Sequence, residues 1–194
     1  MPFSLLLAAF PPELAGLDVA PPPGWRVATT GVGAVVAAAA TARLVESVRP
    51  SRVLFVGTCG AYDDRLAIFD VIAARAAIAT SLEELDGRAY RPALEVVRFE
   101  ATWTVGGLPA HDVAVPPAIT RSAEGAARLA AVAPAEALEL AGVFAACRDA
   151  GVKAGAVLAV ANRVGPAAHE EWSANHARAS RALVDALHAL LGPA

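Results

Sequence analysis

Three polar residues stand where apolar runs give way and could do chemistry: Glu13, Glu139 and Asn162. Glu13 follows the apolar run 3–9 within a few residues. A carboxylate beyond a buried strand can deprotonate a water, and apolar neighbours raise its pKa toward the working range. The same residue also suits a helix N-terminus, where the macrodipole favours a negative charge. Glu139 interrupts the apolar stretch 137–143, where a carboxylate can accept hydrogen bonds from two neighbouring sugar hydroxyls. Asn162 follows the wholly apolar run 156–160, so its amide suits either a ligand in a strand-end crevice or a helix N-cap.

Two small-residue segments accompany them. Thr29-Thr30-Gly31-Val32-Gly33 separates a strand-like run from a helical one, and Val56-Gly57-Thr58-Cys59-Gly60 ends a second apolar run. Glycines there let backbone amides approach an anion or a sugar, and Thr58 adds a hydroxyl. Each segment is equally a close-packed turn. The first lacks the third glycine of a dinucleotide fingerprint, since position 36 is Val36.

The elements that must position these residues alternate. Strands are expected over 3–9, 26–29, 52–57, 70–79 and 156–160, and helices over 34–48, 121–131, 137–150 and 169–191. On the first helix Ala37, Ala40, Leu44 and Val48 share a face; on the last, Leu183, Leu187 and Leu190 form a stripe. The stretch 80–109 reads as irregular, with short strands near Val96 and Trp103. This alternation predicts an α/β fold of three layers, a mixed and largely parallel central sheet flanked by helices. Ligands of such sheets sit at the carboxyl ends of the strands.

A chain of 194 residues suits a single domain over 1–194. Its net charge of -3, with Lys153 the only lysine, argues against nucleic acid as a partner. Its apolar stretches break before spanning length, which argues against a membrane. Cys59 and Cys147 show no metal-ligand spacing and point to a reduced cytoplasmic setting; no metal or cofactor is expected. The apolar start has no basic segment before it and reads as a first strand rather than a secretory signal.

In order and spacing these segments resemble the purine nucleoside phosphorylase and methylthioadenosine nucleosidase superfamily, most closely its futalosine hydrolase branch. The similarity runs from the first strand to the last helix and is weakest over 80–118. It implies that Glu13 activates an attacking water. Gly31 and Gly33 match a Gly-Ile-Gly turn, and Gly57-Thr58-Cys59-Gly60 a Gly-Thr-Cys-Gly turn. Ile119-Thr120-Arg121-Ser122 is similar to a segment near the base. Leu138-Glu139 matches the end of a Glu-Met-Glu motif whose second glutamate holds the ribose hydroxyls. The motif's first glutamate is Ala137 here, so one contact is expected to be missing.

Asn162 stands where adenosine-processing members carry an aspartate that protonates N7. With Arg163-Val164-Gly165-Pro166 and Trp172 downstream, the resemblance implies a 6-oxopurine nucleoside as substrate, bound at Gly33, Thr58, Cys59, Gly60, Ile119, Thr120, Leu138 and Glu139, with Glu13 and Asn162 catalytic. Phe55 occupies the place of a phosphate-binding arginine, which implies hydrolysis over phosphorolysis. A phosphorylase, a methylthioadenosine nucleosidase and a degenerate nucleoside-binding member are the alternatives. A homodimer is implied as well. For a 5′ substituent bearing an aromatic acid, Arg98, Phe99, Trp103 and Arg121 are candidate contacts, each equally a surface charge or core aromatic.

Overall fold

The computed structural model describes residues 3–93 and 95–191. In chain order the elements are β1 (Ser4–Ala8), a 3-10 turn (Pro11–Leu14), β2 (Trp25–Thr29), α1 (Ala34–Val48), β3 (Arg52–Ala61), β4 (Val71–Ala79), α2 (Leu82–Leu85), β5 (Arg98–Glu100), β6 (Ala110–Val115), α3 (Ala123–Ala130), β7 (Ala135–Glu136), α4 (Leu140–Asp149), β8 (Lys153–Arg163) and α5 (Ala168–Leu191).

The sheet is mixed and helices cover both faces. β1 pairs in parallel with β2 and β3, β3 with β8, and β6 with β4 and β7, while β3–β7, β4–β5 and β4–β8 are antiparallel. The period-2 alternation of strands gives the sheet a core on each face. Leu5, Leu7, Val53 and Phe55 pack with Ala37 and Val45 of α1 and with Val143 and Phe144 of α4. Leu6, Leu54 and Val56 face the other way, onto Leu183, Val184 and Leu187 of α5. Covered on both faces, β1 is buried at every position, and its Ser-Leu-Leu-Leu-Ala sequence reads as a continuous run rather than an alternation.

The central sheet is more closed than the sequence implies. The pairings β3–β8–β4–β6–β7–β3 form a ring, made possible because β3 is long enough to lie beside β1 in its first half and β7 at its end. Both β3 and β8 run past their expected ends. Gly57 to Gly60 is therefore strand, with a bulge between Cys59 and Gly60, not a turn, and Asn162 lies within β8 rather than beyond it.

Other expectations shift for local reasons. The buried face of α1 is Ala37, Ala40, Thr41 and Val45, a stripe rotated from the expected one, with Leu44 and Val48 only half-buried. Trp103 lies in a loop, and β6 and β7 were not expected. Helix α4 starts at Leu140, which leaves Glu139 as its N-cap. α4 crosses α1 so closely that a Cβ on Gly142 would stand 2.0 Å from the Ala34 carbonyl oxygen. Only glycine permits that approach, and it brings the Gly33 end of α1 against the start of α4.

Candidate active site

One cavity of about 390 Å³ opens where β1, β3, β7 and β8 end, closed on one side by the start of α5. Of the residues singled out in the sequence, Glu13, Thr58, Cys59, Gly60, Ile119, Leu138, Glu139 and Asn162 line it. Gly33 and Thr120 do not; each instead serves a carboxylate that does. Gly33 donates its N–H to Glu139 Oε1 at 2.9 Å, and Thr120 donates its N–H to Glu136 Oε1 at 3.2 Å.

Glu13 is held by its local chain. Pro11 and Pro12 open the 3-10 turn and direct the carboxylate inward, where it is 4% exposed. Its Oε1 accepts the Thr58 N–H at 2.7 Å and the Thr58 hydroxyl at 2.8 Å; Oε2 accepts the Ala9 N–H at 3.2 Å. Burial pushes the Glu13 carboxyl up to about 7; the Thr58 and Ala9 donors oppose that rise and the Glu139 charge adds to it. Such a carboxylate can take a proton near neutral pH. The Thr58 hydroxyl also accepts from the Trp172 indole N–H at 3.1 Å, so its own proton is directed to Glu13.

Glu139 at the N-cap of α4 is buried, and burial raises its pKa while the backbone donors of Gly33, Glu139 and Leu138 work against it. With Oε1 engaged by Gly33, its carboxylate keeps acceptor capacity toward the cavity. Asn162 donates Nδ2 to the Arg163 carbonyl oxygen at 2.9 Å, and an amide nitrogen carries a second hydrogen. Cys59 is a buried wall whose thiol is held protonated by desolvation. The Arg163 guanidinium turns outward, to the Leu66 carbonyl oxygen at 2.8 Å and Asp64 at 2.9 Å.

The sequence reading missed Glu136, and it named Trp172 only as part of a motif. Glu136 is buried on the cavity one position before Ala137, so the site is not short of a carboxylate. Phe10, His169 and Trp172 form an aromatic wall, with ring centroids 6.0 Å apart for Phe10 and Trp172 and 6.2 Å for His169 and Trp172. The expected aromatic and cationic contacts lie elsewhere. Trp103 packs beside Trp25 and under Arg52, Phe99 lies under Arg148, Arg98 pairs with Glu100 and Asp112, and Arg121 is not on the cavity. Among the described residues no cluster of His, Cys, Asp or Glu is arranged to hold a metal ion, and no helix is long and apolar enough to cross a membrane.

A helix-covered mixed sheet that gathers buried carboxylates around one strand-end cavity defines the chain as an α/β protein with a candidate small-molecule site. The chain matches the phosphorylase superfamily over residues 26–137, more than half its length, and belongs to that superfamily. It superposes on futalosine hydrolase of Helicobacter pylori with a TM-score of 0.85 at 17% identity, covering 98% of this chain and 97% of that one. It superposes equally on the 5′-methylthioadenosine/S-adenosylhomocysteine nucleosidase of the same organism, with a TM-score of 0.85 at 17% identity over 98% of each chain. The corresponding nucleosidase of Colwellia psychrerythraea, solved in complex with adenine, gives 0.83 at 16% identity over 98% of this chain and 95% of that one. At these identities the likeness is one of fold. No curated protein matches the chain at a significant level.

Proposed function

We propose that the protein hydrolyses the N-glycosidic bond of a purine nucleoside. The observation that carries this reading is Glu13, a buried carboxylate that accepts protons near neutral pH and lines a cavity shared with Glu139 and Asn162. Water attacks C1′ of the sugar and gives a proton to Glu13. The C1′–N9 bond breaks with its electron pair passing to the purine, whose charge the Asn162 amide stabilises by donating toward N7. Glu139 accepts the 2′ and 3′ hydroxyls and, with Leu138, fixes the ribose. A positioned base contributes roughly 10² to 10⁴ in rate, and a preorganised donor to the leaving group roughly 10² to 10³.

Water is favoured over phosphate by charge. Three carboxylates line the cavity, Glu13, Glu136 and Glu139, and among the described residues no lysine or arginine does. A phosphate dianion beside them would be repelled without a compensating cation. Phe55, at the place of the phosphate-binding arginine, is buried in the core.

A 6-oxopurine nucleoside such as futalosine, releasing hypoxanthine for menaquinone biosynthesis, fits best. Asn162 has no acid proton to give an adenine N7 but can donate to a 6-oxopurine, and the wall of Phe10, His169 and Trp172 suits an aromatic 5′ substituent. The enzyme works in the cytoplasm as a homodimer, a state supported by the exposed apolar residues Val32, Val35, Val36 and Ile119, two of which also line the cavity. The test is chromatographic detection of free base from inosine, adenosine, methylthioadenosine and futalosine. Release of hypoxanthine, fastest from futalosine, is expected; no base from any of the four contradicts the reading.

A further inference from the structure

Asn162 is aimed by a β-bulge. Cys59 of β3 pairs with Val160 of β8, and the next pair is Gly60 with Asn162, so Ala161 is an extra residue without a partner on β3. A bulge re-aims the side chain that follows it, and a one-residue change of register turns a side chain to the other face. Here the bulge lays Asn162 across Gly60: a Cβ on that glycine would stand 3.0 Å from Asn162 Nδ2 and 2.6 Å from Val164 Cγ2. Without the extra residue, Asn162 stands opposite Ala61 and its amide turns away from Gly60.

The bulge lies where β8 loses its other neighbour. β4 pairs with β8 at Val157, Leu158 and Ala159, and the backbone bonds to Phe69 and Asp70 end at Val160. Beyond that point two side chains of α5 take the place of a strand. Asn175 donates Nδ2 to the Ala161 carbonyl oxygen at 3.0 Å, and Glu171 Oε2 accepts the Arg163 N–H at 2.7 Å. Four residues apart on one helix, Glu171 and Asn175 share a face of α5. Their bonds fall on the residues either side of Asn162, whose own Nδ2 donates to the Arg163 carbonyl oxygen. Neither Glu171 nor Asn175 lines the cavity.

We propose that Glu171 is a positioning residue: with Asn175 it holds the bulge of β8 and so keeps the Asn162 amide turned into the cavity. A strand-edge N–H deprived of its acceptor is disfavoured, and loss of the bulge is the rearrangement that moves Asn162. Glu171 also stands in the first turn of α5, where a negative charge stabilises the helix. That role depends on the charge, whereas positioning depends on an acceptor oxygen. The effect on rate rests on the hydrolytic reading above; the effect on Asn162 does not.

Glu171→Gln and Glu171→Ala separate the two roles, because glutamine keeps an oxygen for the Arg163 N–H without the charge and alanine keeps neither. In amide NMR spectra of the intact chain, the Arg163 backbone and Asn162 side-chain resonances are expected to move in Glu171→Ala and to stay near wild type in Glu171→Gln. An Asn162 resonance unmoved in Glu171→Ala overturns the proposal whatever the protein hydrolyses. With inosine as substrate, kcat and kcat/KM are expected to fall together about tenfold or more in Glu171→Ala, and most of the loss to be recovered in Glu171→Gln. Full kcat in Glu171→Ala, or equal losses in the two variants, overturns the proposal and leaves hydrolysis standing. Resonances that move as expected in a protein whose wild type releases no base support the positioning role, and only the hydrolytic reading then fails. Should Glu171→Ala not fold, Asn175→Ala removes the other bond to the bulge: the Asn162 resonance is expected to move and kcat to fall, and no change in either overturns the proposal.

Discussion

Glu13 Oε1 accepts both the backbone N–H and the side-chain hydroxyl of Thr58, at 2.7 and 2.8 Å. One residue of β3 therefore fixes one oxygen of the proposed base and leaves the other, which accepts only the longer bond from Ala9, to meet water. This arrangement depends on β3 continuing as strand through Thr58.

Glu13→Gln is expected to abolish turnover with little loss of ligand binding, and wild-type kcat/KM is expected to rise with pH through about 7, as the base ionises. Stability moves the other way. Because the folded pKa is raised from 4.5 to about 7, the buried charge costs stability that sets in between those values and is complete above them. The loss at about pH 8 is on the order of 3 kcal/mol. Denaturant unfolding should show Glu13→Gln more stable than wild type at about pH 8 and no more stable near pH 4. A variant that is less stable at both values contradicts the raised pKa.

Gly57 gives Glu13 its room. A Cβ there would stand 3.1 and 3.2 Å from the two carboxylate oxygens and 3.3 Å from the Phe55 ring. Gly57→Ala should displace the carboxylate by a few tenths of an ångström and lower kcat about tenfold or more, while thermal unfolding stays close to wild type. Full activity would show that the position of Glu13 is not tightly constrained.

Trp172→Phe keeps an aromatic ring beside Phe10 and His176 but removes the indole N–H that orients the Thr58 hydroxyl. A hydroxyl free to rotate supports the Glu13 charge less, so the rising limb of the pH–rate profile should move to higher pH and kcat at neutral pH should fall several-fold. A purely packing role for Trp172 would alter KM or stability without moving that limb.

Val35 is 84% exposed at the start of α1, beside the exposed Val32 and Val36. If a second copy covers this face, Val35→Glu places a charge in an apolar interface, where a buried unpaired charge costs several kcal/mol. Light scattering should report a dimer for wild type and a monomer for the variant. A wild-type monomer contradicts the dimer.

The parts of the fold legible in the sequence were those whose signal is local. The Leu-Leu-Leu run of β1, the Val-Leu-Phe-Val run of β3 and the leucine stripe of α5 each carry their own periodicity or burial. What was not legible depends on pairing between distant residues. Thr58 to Gly60 and Asn162 look like turns because glycine, threonine and asparagine dominate, yet pairing between β3 and β8 holds them as strand. Glu136 was missed for the same reason. Its strand is two residues long and exists only because Ala135 and Glu136 bridge β6 and β3. The aromatic contacts proposed from 98–121 failed because β5 and the loop after it pack against the core, while the aromatic wall comes from Phe10 and the start of α5.

The central claim, that water and not phosphate attacks the sugar, is tested most directly by following base release from a 6-oxopurine nucleoside in phosphate-free buffer and again with phosphate in excess. The account predicts the same rate in both and free sugar as the product. Turnover that requires phosphate, with the sugar recovered as its 1-phosphate, would contradict it.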